Sequence, residues 1–385
     1  MISFYTCQEG KISPSIETTD YVISDQMERK PFTFSPTKCR GASMRKIILI
    51  ILTFLLIISI FGCGNKNEPN KVDAEPELSS HTEIVEAEPE ILPIIAKEPL
   101  IKKEKELPGA FIVSVDNHRN AYPQSGLDKA DRVYEILAEG GITRYLAVFH
   151  SQKADKIGPI RSARYYFAYI VKGHDFPFAH AGGNTNALNL IPQLKIKDLD
   201  EIYNSGPYFL RDKSRKMPHN LYSSTDLLLK GAEKKKFSLL PLEPLEQGKL
   251  EGGDAVDLID ITYSTDPRYL YTVTYEWGSG RYKRYINGVP HKTQEGLEIF
   301  TENIVVLETK TREVVTNELE SEIELIGGGK ALFFTGGNAY EGTWKKEKAA
   351  SEFTFIYQGK NMKFIGEHAW INIVPALKNV EVTKV

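Results

Sequence analysis

The run Arg132-Val-Tyr-Glu-Ile-Leu-Ala-Glu139, then Gly140-Gly141, then Ile142-Thr-Arg-Tyr-Leu-Ala-Val-Phe-His150 decides the fold. Two apolar segments rich in aromatic and branched residues flank a glycine pair, and such a pair suits the two-residue turn of a β-hairpin. A two-residue turn pairs Glu139 with Ile142 and Leu137 with Arg144. Alternate residues of a strand share a face, so Val133, Glu135, Leu137 and Glu139 point one way. Arg144 then lies on that face, diagonal to Glu135 and Glu139. Charges set among Val133, Leu137, Ile142 and Leu146 are costly unless paired. The hairpin is therefore either an ion-paired strut or a carboxylate pair in a semi-buried pocket, suited to general acid–base work.

Around the hairpin the pattern alternates. Phe111–Asp116 reads as a buried strand, Ser162–Lys172 and Asn184–Leu194 as helices, and Ser223, Ser224 or Thr225 as the cap of a helix through Lys236. Pro241–Gly253 reads as a connector. Beyond it, Asp257–Ser264, Tyr269–Trp277, Tyr282–Ile286, Asn303–Thr309, Ala331–Phe334, Glu352–Gln358 and Lys363–Gly366 look like strands separated by Gly and Asn-Gly turns. The expected class is α+β. A mixed α/β domain with a β-hairpin spans 109–248, and a smaller, mainly antiparallel β domain spans 249–385.

The first hundred residues speak of location. Met44-Arg-Lys, an apolar run from Ile47 to Phe61 and Gly62-Cys63 have the parts of a secretory signal. The run is short of the roughly 20 residues that span a membrane. Ile60-Phe61-Gly62-Cys63 resembles a bacterial lipobox, which implies cleavage before Cys63 and acylation of its thiol, palmitate included. Residues 44–62 are then a signal peptide, 1–43 an upstream extension outside the signal, and 63–108 a disordered tether rich in Glu, Pro, Asn and Lys. These readings place the protein on the extracytoplasmic face of a cell membrane, held by lipid.

Composition removes several function classes. With 48 basic and 51 acidic residues the formal net charge is −3, so bulk attraction to nucleic acid is absent and no nucleic-acid partner is expected. Three widely spaced cysteines, Cys7, Cys39 and Cys63, argue against a disulfide scaffold or a cysteine zinc site. No His-Glu-x-x-His, Gly-x-Ser-x-Gly or phosphate-loop motif occurs. Asp116, His118, His180 and His219 could ligate a metal, but no spacing argues for one, and no metal or other cofactor is expected.

Five strings in the first domain carry chemistry. Gly158-Pro159 precedes Arg161-Ser162-Ala163-Arg164 at a helix start, where free backbone N–H groups and two guanidinium groups make an anion site. His180 precedes Gly182-Gly183, whose freedom lets a ligand or backbone come close. Arg211, Arg215 and His219-Asn220 lie in a polar loop. The candidate catalytic residues are Glu135, Glu139, His180 and His219. The candidate anion-binding residues are Arg144, Arg161, Arg164, Arg211 and Arg215. Gly140, Gly141, Gly158, Gly182, Gly183 and Asn220 shape the loops. In the second domain Tyr282, Arg284 and His291 flank hairpin turns, and Trp277 and Trp344 are potential ligand platforms.

Several of these strings resemble the YerB-type bacterial lipoproteins. In the first domain they are Pro123-Gln-Ser-Gly-Leu127, Ala130-Asp131 through Tyr134-Glu135, Glu139-Gly-Gly-Ile-Thr-Arg144, Ile157-Gly-Pro-Ile-Arg-Ser-Ala-Arg164, His180-Ala-Gly-Gly183, and Arg211-Asp with Arg215 and Pro218-His-Asn220. Tyr282, Arg284, Asn287-Gly288 and His291 resemble that family's second domain. Tyr122 stands where the resemblance calls for Arg, which weakens a role for positive charge there. The resemblance implies domain boundaries and a surface location but no activity. Two functions follow as expectations. In one, the protein binds an anionic envelope component, a wall polymer or peptidoglycan, and hydrolyses or transfers part of it. In the other, it is a non-catalytic surface scaffold or partner-binding lipoprotein whose charged strings glue domains together. The sequence does not decide whether an enzyme is present.

Overall fold

The computed structural model describes residues 107–315 and 319–384. The signal, Cys63, the tether and the upstream extension lie outside the described residues. In chain order the main elements are β1 (Phe111–Asp116), β2 (Arg132–Glu139), β3 (Ile142–Phe149), α1 (Tyr165–His174), β4 (Phe178–His180), α2 (Thr185–Gln193), β5 (Asp198–Asp200) and α3 (Thr225–Lys234). There follow β6 (Asp254–Ser264), β7 (Tyr271–Gly278), β8 (Arg281–Ile286), β9 (Asn303–Glu308), β10 (Gly327–Thr335), β11 (Asn338–Lys346), β12 (Ala369–Val374) and β13 (Val380–Lys384). The fold is α+β.

Two of the three helices begin where a side chain caps them. Asn184 accepts from Ala187 N at the start of α2, and Ser224 from Leu227 N at the start of α3. The hairpin forms as read: Gly140 and Gly141 have φ of 56° and 77°, the left-handed pair a tight turn needs, and Glu139 pairs with Ile142. The register beyond it differs from the expectation. Ala138 is a bulge, so Leu137 faces Thr143, and Arg144 faces Ile136. An extra residue in one strand rotates the following side chain to the other face. Glu135 and Glu139 therefore point to opposite sides of the sheet, and Arg144 shares a side with Glu139 alone. The Tyr166 hydroxyl from α1 donates to the Leu137 carbonyl at 2.6 Å beside the bulge, satisfying a backbone group the ladder leaves over.

Among these strands, three in the second half of the chain, β11, β12 and β13, have no counterpart among those the sequence pattern predicts. β12, with sequence AWINIV, lies parallel to β2 on one side and parallel to β9 on the other. A single sheet thus runs β5-β4-β1-β3-β2-β12-β9-β10-β11, carrying strands of both halves of the chain. In place of the strand expected over 363–366 there is an isolated bridge between Gln247 and Phe364. A second, antiparallel sheet, β13-β6-β7-β8, packs Tyr263, Tyr271 and Tyr275 toward the Glu135 face of the first.

Candidate functional site

Because paired residues share a face, β1, β2 and β3 build two different environments. Val115, Tyr145 and Glu135 look one way; Asp116, Arg144 and Ile136 look the other.

On the first side Glu135 and Arg284 are both fully buried. Arg284 donates to Glu135 Oε2 at 2.7 Å. Glu135 Oε1 accepts from Tyr271 at 2.6 Å and Thr143 at 2.8 Å. The guanidinium lies 4.1 Å from the Trp370 ring and donates to His291 Nδ1. His291 Nε2 then meets Gln124 Oε1 at 3.1 Å. Burial and the nearby Arg284 charge push the His291 pKa well down, so the ring is neutral and accepts from the arginine. Every charge here has its partner inside the protein, and the groups come from both halves of the chain. Tyr282 is likewise buried, against Trp277, and Trp344 spends its indole N–H on the Glu308 carbonyl at 2.8 Å. Of the residues expected to offer a surface in the second domain, Tyr282, Arg284, His291 and Trp344 are interior.

The other side is different. Asp116, 1% exposed, accepts from His219 Nδ1 at 2.6 Å and stands 3.2 Å from Arg161 Nε. Donation from Nδ1 leaves Nε2 as the basic ring nitrogen. His118 stacks on His219 with centroids 4.9 Å apart. Burial opposes ionisation of Asp116, but the His219 hydrogen bond and the charges of Arg144 and Arg161 outweigh it and hold the carboxyl below its usual range. Burial and the neighbouring His219 lower the His118 pKa. Next along the face, Glu139 bonds Arg144 at 2.9 Å and Arg164 at 2.6 Å. Burial would raise the Glu139 carboxyl, yet Arg144 and Arg164 bring it below its usual range. Arg144 also donates to the Ser162 carbonyl at 2.8 Å. Three guanidinium groups thus face two carboxylates. Arg144 Nε and Arg161 Nε are buried with no aligned hydrogen-bond partner among the described residues.

The remaining expected residues go elsewhere. His180 is fully buried, with Nδ1 on the Gly182 carbonyl and Nε2 on Asp198, each at 2.8 Å. It braces the Gly182-Gly183 turn, and no ring nitrogen is left for chemistry. A Cβ on Gly182 would stand 2.9 Å from Ile202 Cδ1, and one on Gly183 3.2 Å from Ala187 Cβ. Arg215 is consumed by the Tyr122 and Pro123 carbonyls, each at 2.9 Å, and the Tyr222 hydroxyl at 2.6 Å. Arg211 pairs with Glu201 and Asn220. Gly158 lies against the strand carrying Leu221 and Tyr222, where a Cβ would approach the Leu221 carbonyl to 2.8 Å. On sequence alone Asp116 and His118 read only as metal-ligand candidates. Their pairing with His219 spans about a hundred residues of chain and leaves no local signal.

Beside His118 opens a cleft of about 260 Å³, lined by Asn117, Arg119, Tyr122, Tyr269, Leu270 and Tyr271 among others. Tyr122, the residue that departs from the expected Arg, forms part of its apolar wall. Among the described residues no helix is long and apolar enough to cross a membrane.

Fold and site together define a class: a two-part α+β protein welded by a buried Glu–Arg strut, with an arginine-flanked Asp–His pair on the face away from the weld. Sequence comparison names the family. It belongs to the family described as "Protein of unknown function (DUF3048)", whose N-terminal domain matches residues 98–238 and whose C-terminal domain matches residues 259–371. It is 34% identical over 277 residues to "Putative lipoprotein YerB" of Bacillus subtilis (strain 168), covering 71% of this chain and 83% of that protein. The crystal structure of the Bacillus subtilis YerB protein superposes with a TM-score of 0.66 over 72% of this chain and 94% of that one.

Proposed function

We propose that this protein is a lipoprotein, anchored through acylated Cys63 to the extracytoplasmic face of the membrane, whose first half grips an anionic group of a cell-envelope polymer. The carrying observation is the pair of buried guanidinium Nε groups, on Arg144 and Arg161, that lack aligned partners among the described residues. Buried N–H groups without a well-aligned acceptor are costly, and a carboxylate or phosphate between Arg144 and Arg161 would supply one. The tyrosine-lined cleft beside His118 holds the neutral part of the polymer. His219, oriented by Asp116, is the acid–base group within reach of the bound anion, as hydrolysis or transfer requires. The relative's description as a lipoprotein supports the anchoring.

The test is calorimetric titration of the full chain in detergent with two probes, a muropeptide carrying free stem carboxylates and a poly(glycerol phosphate). Saturable binding of one, weakened at least tenfold by Arg161→Gln, is expected, and the better probe names the anion. No binding of either, or equal binding by the variant, contradicts the reading.

A further inference from the structure

A second cleft, of about 200 Å³, opens on another part of the molecule. Its walls are apolar: Leu245, Phe353, Phe355, Met362 and Phe364. Its polar groups are unusual in balance. Arg132 is 5% exposed, yet among the described residues its hydrogen bonding amounts to donation to the Glu243 carbonyl. Among the described residues its Nε is buried without a partner, and the carboxylate that approaches it, Glu352 Oε2, is 4.0 Å from Nη1, beyond hydrogen-bond reach. A guanidinium has five N–H donors, so this buried cation is under-satisfied. Three acids line the same cleft, Glu243, Glu246 and Glu352, and Glu352 lies beside Arg132. Glu352 is fixed by His174 Nδ1 at 2.9 Å, and His174 Nε2 in turn meets the Tyr134 hydroxyl at 2.7 Å.

A simple anion would satisfy Arg132 but meet the three glutamates. A simple cation would pair with Glu352 and leave Arg132 short of acceptors. A ligand carrying both charges answers both demands, and the aromatic walls call for an apolar body between them. The volume equals roughly seven waters at about 30 Å³ each, the size of one amino acid and too small for a polymer.

We propose that this cleft binds a free α-amino acid with an apolar side chain, its carboxylate on Arg132, its ammonium against Glu352 and its side chain among Phe353, Phe355 and Met362. The site is separate from the anion site of the first half and does not depend on it.

The experiment titrates the full chain in detergent with L-leucine, L-phenylalanine, 4-methylpentanoate, which lacks the ammonium, and 3-methylbutylamine, which lacks the carboxylate. At least one amino acid should bind saturably, and both truncated probes should bind at least tenfold more weakly. Arg132→Gln should abolish binding. Should that variant fail to fold, Glu352→Gln, on a partly exposed side chain, serves instead and should weaken the amino acid tenfold without weakening 4-methylpentanoate. Equal affinity for leucine and 4-methylpentanoate, no saturable binding of either amino acid, or unchanged leucine binding by Glu352→Gln overturns the proposal.

Discussion

Replacing Glu135 by Gln tests whether the buried carboxylate is a strut or a catalyst. The substitution keeps the shape of the side chain and removes its charge. Arg284, 0% exposed, then loses the anion 2.7 Å from its Nη2, while the Tyr271 hydroxyl keeps an oxygen to bond only if the amide turns the right way. Removing one partner of a buried pair costs about 3–5 kcal/mol, because the remaining charge cannot return to water. The Trp370 ring 4.1 Å from the guanidinium and the neutral His291 soften this loss, which favours the lower end, about 3 kcal/mol. At about 2–4 °C per kcal/mol for domains of this size, the melting temperature falls by roughly 6–12 °C. The double variant Glu135→Gln/Arg284→Met recovers part of the loss, since no lone charge is left. The assay is thermal unfolding followed by tryptophan fluorescence, with titration of the envelope probes on the folded variant. A melting temperature within 1–2 °C of the parent (about 0.5 kcal/mol), joined to lost ligand binding, would refute the reasoning and return Glu135 to the list of catalytic groups.

Three further outcomes follow from other residues. His291 has a folded pKa below its unfolded value of about 6.5, so the unfolded chain binds more protons as pH falls through that value and stability drops; His291→Gln should shrink the fall in melting temperature between pH 7 and pH 5. Burial lowers the Lys346 pKa to about 8, so between that value and about 10.5 the unfolded chain again holds the extra proton. Stability attributable to this lysine therefore rises with pH across that window, and in Lys346→Met the slope of the urea midpoint against pH should flatten there. Cys63→Ser should abolish incorporation of radiolabelled palmitate and release the protein from the acylated membrane pool; unchanged labelling would deny the anchor.

The hairpin shows how far sequence reading reaches. Its two strands and its turn were legible, because apolar runs and paired glycines act locally. Its faces were not, because a bulge at Ala138 costs the pattern a single residue and reverses every side chain after it. The Glu139–Arg144 pair came through the error; the supposed Glu135–Glu139 pair did not. β12 was invisible for another reason. A strand parallel to β2 but more than two hundred residues away leaves no turn and no alternation, since both its faces are buried. The site divides in the same manner. Arg161, Arg164 and His219 stood out by residue type and loop context. Asp116, which positions both Arg161 and His219, and Arg284, which neutralises Glu135, act at ranges of chain that no spacing rule covers. His180 and Arg215 looked chemical for their residue types and turned out to hold loops in place, their donors spent on a nearby carboxylate, a tyrosine hydroxyl and backbone carbonyls.

The claim on which the account rests is that Arg144 and Arg161 await an anion. A crystal structure of the protein soaked with whichever envelope fragment binds in titration addresses it directly. The account predicts ligand oxygens within hydrogen-bond distance of Arg144 and Arg161, with His219 Nε2 facing the ligand. Density for the fragment elsewhere on the molecule, with those guanidinium groups untouched, would contradict it.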